Sequence, residues 1–348
     1  MCDWREDCSD GSDEDRESCS SSCSPSPCGS GQSCLPTPRG PICQCITGYT
    51  RSNSEECTDY DECQLLQSCS QYCTNTKGSF KCDCEEGFVA EHSLCRPEGD
   101  PPVFLYAVGS TIKAAIEGNL GTHDIHKELS THARPISNFV YNVHTDEFFW
   151  SSPGLGMIGR KNSSSAGNEI WMSNLLKPDQ LALDWREANL YFSSQVNSIV
   201  TVCGIITKLC VKLPPIGHDA ITKLAVDPRS AKLFVGGYTR KRGRYPSAAI
   251  YSLDMDGKEA PKAIALGKIG MVSGLAVDPV KKLVFWSDVT SRALSVCSYL
   301  GTDRKVVTLS SQPRPAGLVL FGSKLFWTTH GSSWLHSHQI IFNSTVER

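Results

Sequence analysis

No segment of the sequence contains the roughly 18 consecutive, predominantly apolar residues that a membrane-spanning helix requires; the most apolar stretch, Ile199 to Ile206, ends close to Lys208. The first residues, Met1-Cys2-Asp3-Trp4, do not form a signal peptide. Three motifs of metalloprotease, serine-hydrolase and sialidase sites do not occur: H-E-x-x-H, G-x-S-x-G and S-x-D-x-G-x-T-W. We therefore predict a protein that is not an enzyme, and we interpret the sequence as part of a longer chain.

Cysteine is scarce after residue 95: 15 of the 18 cysteines lie between Cys2 and Cys95, and only Cys203, Cys210 and Cys297 follow. A high cysteine density with few aliphatic residues is typical of small disulfide-stapled modules in an oxidising compartment. It excludes a cytosolic α/β enzyme for the first part. The remaining roughly 250 residues are rich enough in aliphatic and aromatic residues to bury a full core.

The charge divides at the same place. Residues 1–99 hold 18 Asp and Glu against 7 Lys and Arg, a net charge of −11, whereas residues 100–348 hold 19 against 27, a net charge of +8. The formal total of −3 therefore conceals an acidic first part and a basic second part, which predicts electrostatic attraction between them.

Two sets of six cysteines follow each other. The first runs C-x4-C-x5-C-x8-C-x-C-x11-C from Cys23 to Cys57, and the second runs C-x5-C-x3-C-x8-C-x-C-x10-C from Cys63 to Cys95. Spacing alone leaves about fifteen connectivities for each set. A zinc cluster is the alternative, but C-x-C spacing and a secreted composition do not suit a tetrahedral zinc site.

Both sets resemble epidermal-growth-factor-like (EGF-like) modules, which we place at residues 20–58 and 59–99. The 1–3, 2–4, 5–6 pattern of that family implies the pairs Cys23–Cys34, Cys28–Cys43, Cys45–Cys57, Cys63–Cys73, Cys69–Cys82 and Cys84–Cys95.

The second module contains a pattern of oxygen-bearing residues. Calcium takes about six to eight hard oxygen ligands held on a rigid frame, and the segment resembles the calcium-binding subtype of the EGF-like family. The resemblance implies three side-chain ligands, Asp59, Glu62 and Asn75, and three backbone-carbonyl ligands, Tyr60, Thr76 and Ser79. A solvated acidic linker is the alternative. The first module begins after Ser20-Ser21-Ser22 and has no such acids, so we predict no calcium there.

Residues 1–19 contain the string C-D-W-R-E-D-C-S-D-G-S-D-E, closed by Cys19. The string resembles the C-terminal half of a class A repeat of the low-density-lipoprotein receptor family. The resemblance implies a Cys2–Cys19 disulfide and calcium ligands at Asp3, Arg5 (through its carbonyl), Asp7, Asp13 and Glu14. Because half of the repeat is missing, we expect Cys8 to lack its partner and the calcium site to be weakened or absent.

The second part, residues 100–348, is a repeat array. Short apolar strings such as F-W-S-D recur at intervals of 44, 42, 43, 51 and 41 residues, starting at Leu105, Phe149, Tyr191, Phe234, Phe285 and Phe326. An L-A-[VL]-D segment precedes three of them, ending at Asp184, Asp227 and Asp278. Four strands in about 42 residues make one β-propeller blade, and a closed ring of blades has no long free edges.

The strings resemble the YWTD repeats of low-density-lipoprotein-receptor-type propellers, which implies a mainly β fold with six blades. Only Asp288 retains the aspartate of the repeat. The family closes its ring with a further strand from beyond the position of Arg348, so we predict an incomplete last blade and an open seam with unpaired edges between the first and last blades.

Several smaller features of the sequence also predict or exclude specific sites. The sequence G-L-G-M-I-G at Gly154–Gly159 matches a nucleotide-binding pattern but is not followed by an amphipathic helix. Cys203 and Cys210 favour a cross-hairpin disulfide over free thiols. In a secreted protein, Asn162 and Asn343 are glycosylation acceptors.

Seven of the nine histidines fall in the first, second and sixth units, which are neighbours in a closed ring: His123, His126, His132, His144, His330, His336 and His338. Imidazole changes its charge between the pH of the cell surface and that of an endosome. In the receptors that the chain resembles, the propeller captures class A repeats at endosomal pH and displaces the ligand, so these histidines are candidates for a pH switch. Scattered surface histidines are the alternative.

The order of modules resembles that of endocytic lipoprotein receptors, including the arthropod vitellogenin and lipophorin branch. This implies a lipoprotein or vitellogenin-like protein ligand, calcium, class A repeats as an intramolecular partner at low pH, no nucleic-acid partner, and a membrane-anchored parent protein at the cell surface and in endosomes. The rival is an extracellular-matrix or Wnt-co-receptor-like interaction protein built from similar modules, which the module order disfavours.

Overall fold

A computed structural model describes residues 8–10, 23, 26–35, 41–52, 56–64, 68–99, 103–116, 127–131, 134–165, 167–239, 247–267, 269–309, 314–329 and 335–340. The chain forms two compact units, the first ending at Arg96 and the second beginning at Pro97. Each is described by itself below.

The described part of the first unit consists of small antiparallel hairpins, β1–β2, β3–β4, β5–β6 and β7–β8, and a 3₁₀ turn at Glu62–Gln64. The strands are β1 Gln32–Leu35, β2 Ile42–Cys45, β3 Tyr49–Arg51, β4 Cys57–Asp59, β5 Tyr72–Thr76, β6 Ser79–Asp83, β7 Phe88–Glu91 and β8 Leu94–Pro97.

Disulfides take the place of an apolar core in this unit. Cys69 and Cys95 are the buried hydrophobic residues among its described positions, and a unit of this kind depends on its cross-links for stability. The structure contains the pairs Cys23–Cys34, Cys28–Cys43, Cys45–Cys57, Cys63–Cys73, Cys69–Cys82 and Cys84–Cys95.

The second unit is a β-propeller built from successive antiparallel sheets. In the described residues, four sheets have four strands, β12–β15, β16–β19, β20–β23 and β24–β27, and the first and last have three, β9–β11 and β28–β30. The first eleven strands are β9 Val103–Val108, β10 Thr111–Ile116, β11 Lys127–Thr131, β12 Asn138–Asn142, β13 Glu147–Ser152, β14 Met157–Asn162, β15 Glu169–Met172, β16 Pro178–Asp184, β17 Asn189–Ser194, β18 Val200–Gly204 and β19 Cys210–Lys212. The remaining eleven are β20 Ala220–Asp227, β21 Lys232–Thr239, β22 Ser247–Asp254, β23 Lys262–Leu266, β24 Val272–Asp278, β25 Leu283–Asp288, β26 Ala293–Ser298, β27 Lys305–Leu309, β28 Pro315–Phe321, β29 Lys324–Thr329 and β30 Leu335–Gln339.

Five of the six aromatic strings of the sequence are the second strands of these sheets, β13, β17, β21, β25 and β29, whereas the string at Leu105 lies in β9. Every residue of β13 and of β25 is buried, because a strand inside a propeller blade is covered on both faces by the neighbouring blades. Trp150 and Trp286 are 2% and 1% exposed.

Apolar clusters join the first five sheets in succession. Ile112 of the first sheet packs with Phe148 and Trp150 of the second. The next three junctions also consist of buried apolar side chains. Phe149 lies in one cluster with Leu190, Tyr191 in one with Leu233, and Phe234 in one with Trp286. Burial of such side chains is the main stabilising contribution to the unit.

The repeated aspartates are turn residues. Asp184, Asp227 and Asp278 each end the first strand of a sheet, and each Oδ1 accepts hydrogen bonds from the backbone N–H groups two and three residues later, at 2.9–3.3 Å. Asn142 Oδ1 accepts from His144 N–H in the same way, at 3.1 Å. An Asx turn at this position starts the hairpin to the second strand, which explains why the repeat keeps this residue type.

Asp288 forms the same kind of turn, here at the end of β25, and in addition holds the loop before β24. Its Oδ1 accepts hydrogen bonds from the N–H groups of Met271 and Thr290, and its Oδ2 accepts from Gly270 N–H, at 2.9–3.0 Å. Burial raises the pKa of this carboxyl, but these hydrogen bonds outweigh burial and lower its pKa overall. The ionised carboxylate therefore fastens the loop before β24 to the end of β25.

The first and last sheets meet through an aromatic contact. The rings of Phe104 in β9 and Phe326 in β29 lie 4.5 Å apart between centroids and are inclined by 54°. The seam that the sequence predicts as open is therefore bridged at this level. Among the described residues, however, no further strand pairs with β9 on the side away from β10, or with β30 on the side away from β29.

Candidate functional site

The predicted calcium ligands of the second EGF-like module lie around the β5–β6 hairpin. Asp59 ends β4, and its Oδ2 accepts a hydrogen bond from Asn75 Nδ2 at 2.8 Å. Its Oδ1 accepts from the backbone N–H of Gly78 in the hairpin turn. Thr76 and Ser79 face each other across that turn. The fold thus brings a carboxylate, an amide and a backbone turn to one place.

Among the candidate calcium ligands, Glu62 has a side-chain oxygen that lacks a partner in the described residues. Its Oε2 atom is buried and has no hydrogen bond within the described part of the chain, while its carbonyl accepts from Ser68 Oγ. A buried carboxylate oxygen without a partner is strongly unfavourable, and a bound cation satisfies it. No group of three His, Cys, Asp or Glu residues that could hold a metal ion occurs in the described ranges; besides its carboxylates, the candidate site relies on an amide and backbone carbonyls.

Calcium therefore fits the residues that surround this turn. Glu62 and Asp59 would supply the charge, with Asn75 as the neutral side-chain ligand. Tyr60 is 39% exposed, and its backbone N–H donates a hydrogen bond to Gly48 O at 2.9 Å. This hydrogen bond fixes the backbone segment that carries the Tyr60 carbonyl.

The first module packs against the same turn. Gly78 has φ +78°, and a Cβ placed there would come within 2.9 Å of Tyr49 Cε2. A Cβ at Gly48 would lie 2.2 Å from Gly78 O. The two glycines and the tyrosine ring therefore form a close junction between the modules, next to the candidate calcium ligands.

The class A ligand set lies outside the described residues: Asp3, Arg5, Asp7, Asp13 and Glu14, with Cys2 and Cys19. Cys8 is described, and it is an exposed free cysteine.

Three of the seven candidate pH-switch histidines are described. His144 lies in the turn after β12 and packs on Trp185, with 5.2 Å between ring centroids. His336 and His338 lie in β30, two residues apart and therefore on the same face. His336 stacks on Trp327 at 5.6 Å, and its buried Nε2 has no partner among the described residues. His123, His126, His132 and His330 lie outside the described residues.

His218 is not among the histidines that the sequence predicts as functional. This residue is 7% exposed, its ring lies edge-on to Tyr251 at 5.0 Å, and neither ring nitrogen has a hydrogen-bond partner in the described structure. Burial lowers its pKa, and the backbone of Ala249 and the Asp219 carboxylate only partly oppose that effect. In the sequence, the position of His218 in the apolar segment that leads into β20 is the feature that indicates its burial.

The remaining predicted sites are the glycosylation acceptors and the cysteines of the propeller. Asn162 ends β14, where its Oδ1 accepts from Ser164 N–H at 3.0 Å; Asn343 lies outside the described residues. The Cys203–Cys210 disulfide joins directly opposed residues of β18 and β19. Cys297 is free and buried, and burial raises the pKa of its thiol to about 11, so it is an unreactive core residue.

The nucleotide-type glycine motif is a packing device. Gly154 and Gly156 lie in the tight turn from β13 to β14, and a Cβ at Gly159 would stand 2.2 Å from the Trp150 ring. In the described residues the motif runs into strand β14 and is followed by β15 rather than by a helix, so they do not form the geometry of a dinucleotide site.

Known proteins resemble the chain over both units. A family model for the calcium-binding EGF domain matches residues 59–95. Vitellogenin receptor Yl of Drosophila melanogaster is 27% identical over 315 residues, and the vitellogenin receptor of Solenopsis invicta is 26% identical over 298 residues. These alignments cover 86% and 83% of this chain. The chain is homologous to vitellogenin receptors of the low-density-lipoprotein receptor family.

Two further likenesses are more limited. Latent-transforming growth factor beta-binding protein 1 of Mus musculus is 33% identical over 88 residues, or 25% of this chain and 5% of that protein. A chain in the crystal structure of the nidogen/laminin complex matches with a TM-score of 0.61 at 18% identity, covering 68% of this chain and 89% of that one. At that identity the likeness shows the fold alone.

The chain spans 15–16% of the length of the two vitellogenin receptors. Within the described residues, no helix is long and apolar enough to cross a membrane.

Proposed function

We propose that this chain is part of the ectodomain of an endocytic receptor that captures a lipoprotein or vitellogenin-like protein at the cell surface and releases it in endosomes. The observation that carries the proposal is the continuous alignment with two vitellogenin receptors across both units. We assign residues 1–19 to a partial class A repeat, 20–58 and 59–99 to EGF-like modules, and 100–348 to a propeller of six blades.

In this proposal calcium stiffens the segment between the two EGF-like modules. The metal would be held by Asp59, Glu62 and Asn75 with the carbonyls of Tyr60, Thr76 and Ser79. Calcium supplies positive charge that neutralises the two carboxylates. The Tyr49–Gly78 contact beside the site would then transmit that rigidity to the first module.

The acid-triggered step would use the propeller. Protonation of His144, His336 and His338 adds positive charge to a unit that is already basic, and acidic class A repeats of the receptor would dock onto it in place of the ligand. The aromatic partners Trp185 and Trp327 hold two of the rings in place.

The rival function is that of an extracellular-matrix or Wnt-co-receptor-like interaction protein. The 88-residue match to latent-transforming growth factor beta-binding protein 1 and the fold of the nidogen/laminin neighbour favour it. The first match covers 25% of this chain and the second shows the fold alone, whereas the vitellogenin receptors align with both units.

The test uses the receptor that contains this chain, displayed on cells and incubated with labelled vitellogenin or haemolymph lipoprotein. The proposal predicts calcium-dependent binding at pH 7.4, loss of binding in chelator, and internalisation. Binding of a laminin-type matrix protein, without uptake of either lipid carrier, would establish the rival instead.

A further inference from the structure

A row of polar side chains lies on the first strands of three successive propeller sheets. Neighbouring sheets contact one another chiefly through these strands, β12 with β16, β16 with β20, and β20 with β24, so the strands surround the axis of the propeller. Asn138 of β12, Gln180 of β16 and Lys223 of β20 form the row, which we call the polar ladder.

Hydrogen bonds connect the ladder directly. Asn138 Nδ2 donates to Gln180 Oε1 at 3.4 Å, and Lys223 Nζ donates to the same oxygen at 3.2 Å. Asn138 Oδ1 accepts from Leu181 N–H at 3.3 Å. The amide orientations are fixed by chemistry, because an ammonium and a backbone N–H can only donate.

The ladder therefore has more unused donors than unused acceptors. Gln180 Oε1 receives two hydrogen bonds and Asn138 Oδ1 receives one from the backbone. Gln180 Nε2 and the other hydrogens of Lys223 Nζ have no partner among the described residues. A group of donors that includes one cation is complementary to an oxyanion.

Strand irregularities support a specialised role for these positions. The pairing of the first and second strands slips between Pro178 and Leu181, and between Ile221 and Lys223. Such bulges re-aim a side chain and are frequent next to binding sites. At the equivalent positions the next two sheets have Gly274 and Gly317, which also lie at register shifts and have no side chain to engage the donors.

One carboxylate lies close to the ladder. Asp179 Oδ1 accepts a hydrogen bond from Ser137 Oγ, and its charge acts on Lys223. Burial nevertheless lowers the pKa of Lys223, and Asp179 only partly opposes this. The ammonium is therefore incompletely compensated by the residues around it, and a bound anion would supply the missing charge.

We propose that the polar ladder binds a carboxylate, presented to the propeller by an acidic side chain of a protein or peptide partner. The carboxylate would accept from Lys223 Nζ and Gln180 Nε2 as charge-assisted hydrogen bonds. The ladder includes none of the candidate calcium ligands and none of the candidate pH-switch histidines, so the proposal stands or falls independently of the proposed function.

The test titrates the full chain at constant ionic strength with three probes: an aspartate-rich peptide, acetate and sulfate. Calorimetry measures affinity, and thermal unfolding measures the stabilisation that binding produces. The variants are Lys223→Met, which removes the ammonium, and Gln180→Glu, which places a carboxylate inside the ladder. Lys281→Met is the matched control, because burial also lowers the pKa of Lys281 but that residue is outside the ladder.

We expect the peptide to bind the wild-type chain and the control equally, and Lys223→Met and Gln180→Glu at least about tenfold more weakly. Acetate that competes with the peptide supports a carboxylate site, whereas sulfate that binds and excludes the peptide shows a site for free inorganic anions and overturns the partner assignment. Equal binding or equal stabilisation in all four proteins would overturn the site itself.

Discussion

Phe104 and Phe326 stand about 220 residues apart in the sequence, yet their rings touch at a centroid distance of 4.5 Å and so bring the first and last sheets of the propeller together. Tilted aromatic pairs contribute about 0.5–1.5 kcal/mol beyond their buried area. This contact lies where the sequence alone predicts an open seam.

A double-mutant cycle measures how much this contact closes the ring. Phe104→Leu and Phe326→Leu should each lower the free energy of unfolding, and their coupling energy should be about 0.5–1.5 kcal/mol. Urea denaturation supplies the four values. Val103→Ala is the control, because this residue in the same strand is 58% exposed. A coupling energy of zero would mean that the rings do not contribute to closure.

The calcium site can be separated from a merely acidic linker. Glu62→Gln removes the charge of the buried, unpartnered carboxylate and should weaken calcium binding at least about tenfold. Asp61→Asn removes one charge from the same segment but keeps the oxygen that accepts from Cys63 N–H at 3.0 Å, so its affinity should remain within about twofold. Calorimetry with calcium checks both. Equal losses in the two variants would favour the acidic-linker interpretation.

His218 should make the propeller acid-sensitive. Its pKa is lowered in the folded chain, so below its ordinary pKa of about 6.5 the unfolded chain takes up a proton that the folded chain resists. Stability therefore falls as the pH falls below that value. His218→Leu should reduce the fall in Tm between pH 7.4 and 5.5.

The matched control for that experiment is His92→Asn. His92 is exposed and has φ +57°, a conformation that asparagine tolerates. This variant should retain the pH dependence of the wild-type chain. If His218→Leu also retains it, the buried imidazole is not the acid-sensitive group.

The glycine motif offers a test of packing against ligand binding. Gly159→Ala places a methyl group against the Trp150 ring and should lower the free energy of unfolding by about 1–3 kcal/mol. Gly154→Ala has no atom within 4 Å of its new Cβ and should change stability by less than about 0.5 kcal/mol. Chemical denaturation checks both values. An unchanged Gly159→Ala midpoint would contradict the packing role.

Much of the fold follows from local patterns in the sequence. Five of the six periodic aromatic strings predict the second strands, because a strand covered on both faces is rich in apolar side chains, as are Leu283 to Trp286 of β25. The aspartates of the L-A-x-D segments were informative because an Asx turn depends on one side chain and its neighbours. Such features are encoded within a few residues.

Features that depend on distant residues could not be predicted. The Phe104–Phe326 contact requires the curvature of all the intervening sheets, and the polar ladder requires residues 42 and 43 positions apart to meet around an axis. The apolar segment around His218 hints at burial, but the packing of its ring depends on Tyr251 in another strand. The unpartnered Glu62 oxygen is likewise a property of the folded module.

The most direct measurement of the receptor function is ligand release from the full receptor at pH 7.4 and pH 5.5. Cells that display the wild-type receptor are loaded with labelled vitellogenin, and the bound fraction is compared with that of a receptor carrying His144→Gln, His336→Gln and His338→Gln. We predict equal calcium-dependent binding at pH 7.4, and at pH 5.5 release from the wild type but retention by the variant. No vitellogenin binding at pH 7.4, or equal release from both receptors at pH 5.5, would contradict the account.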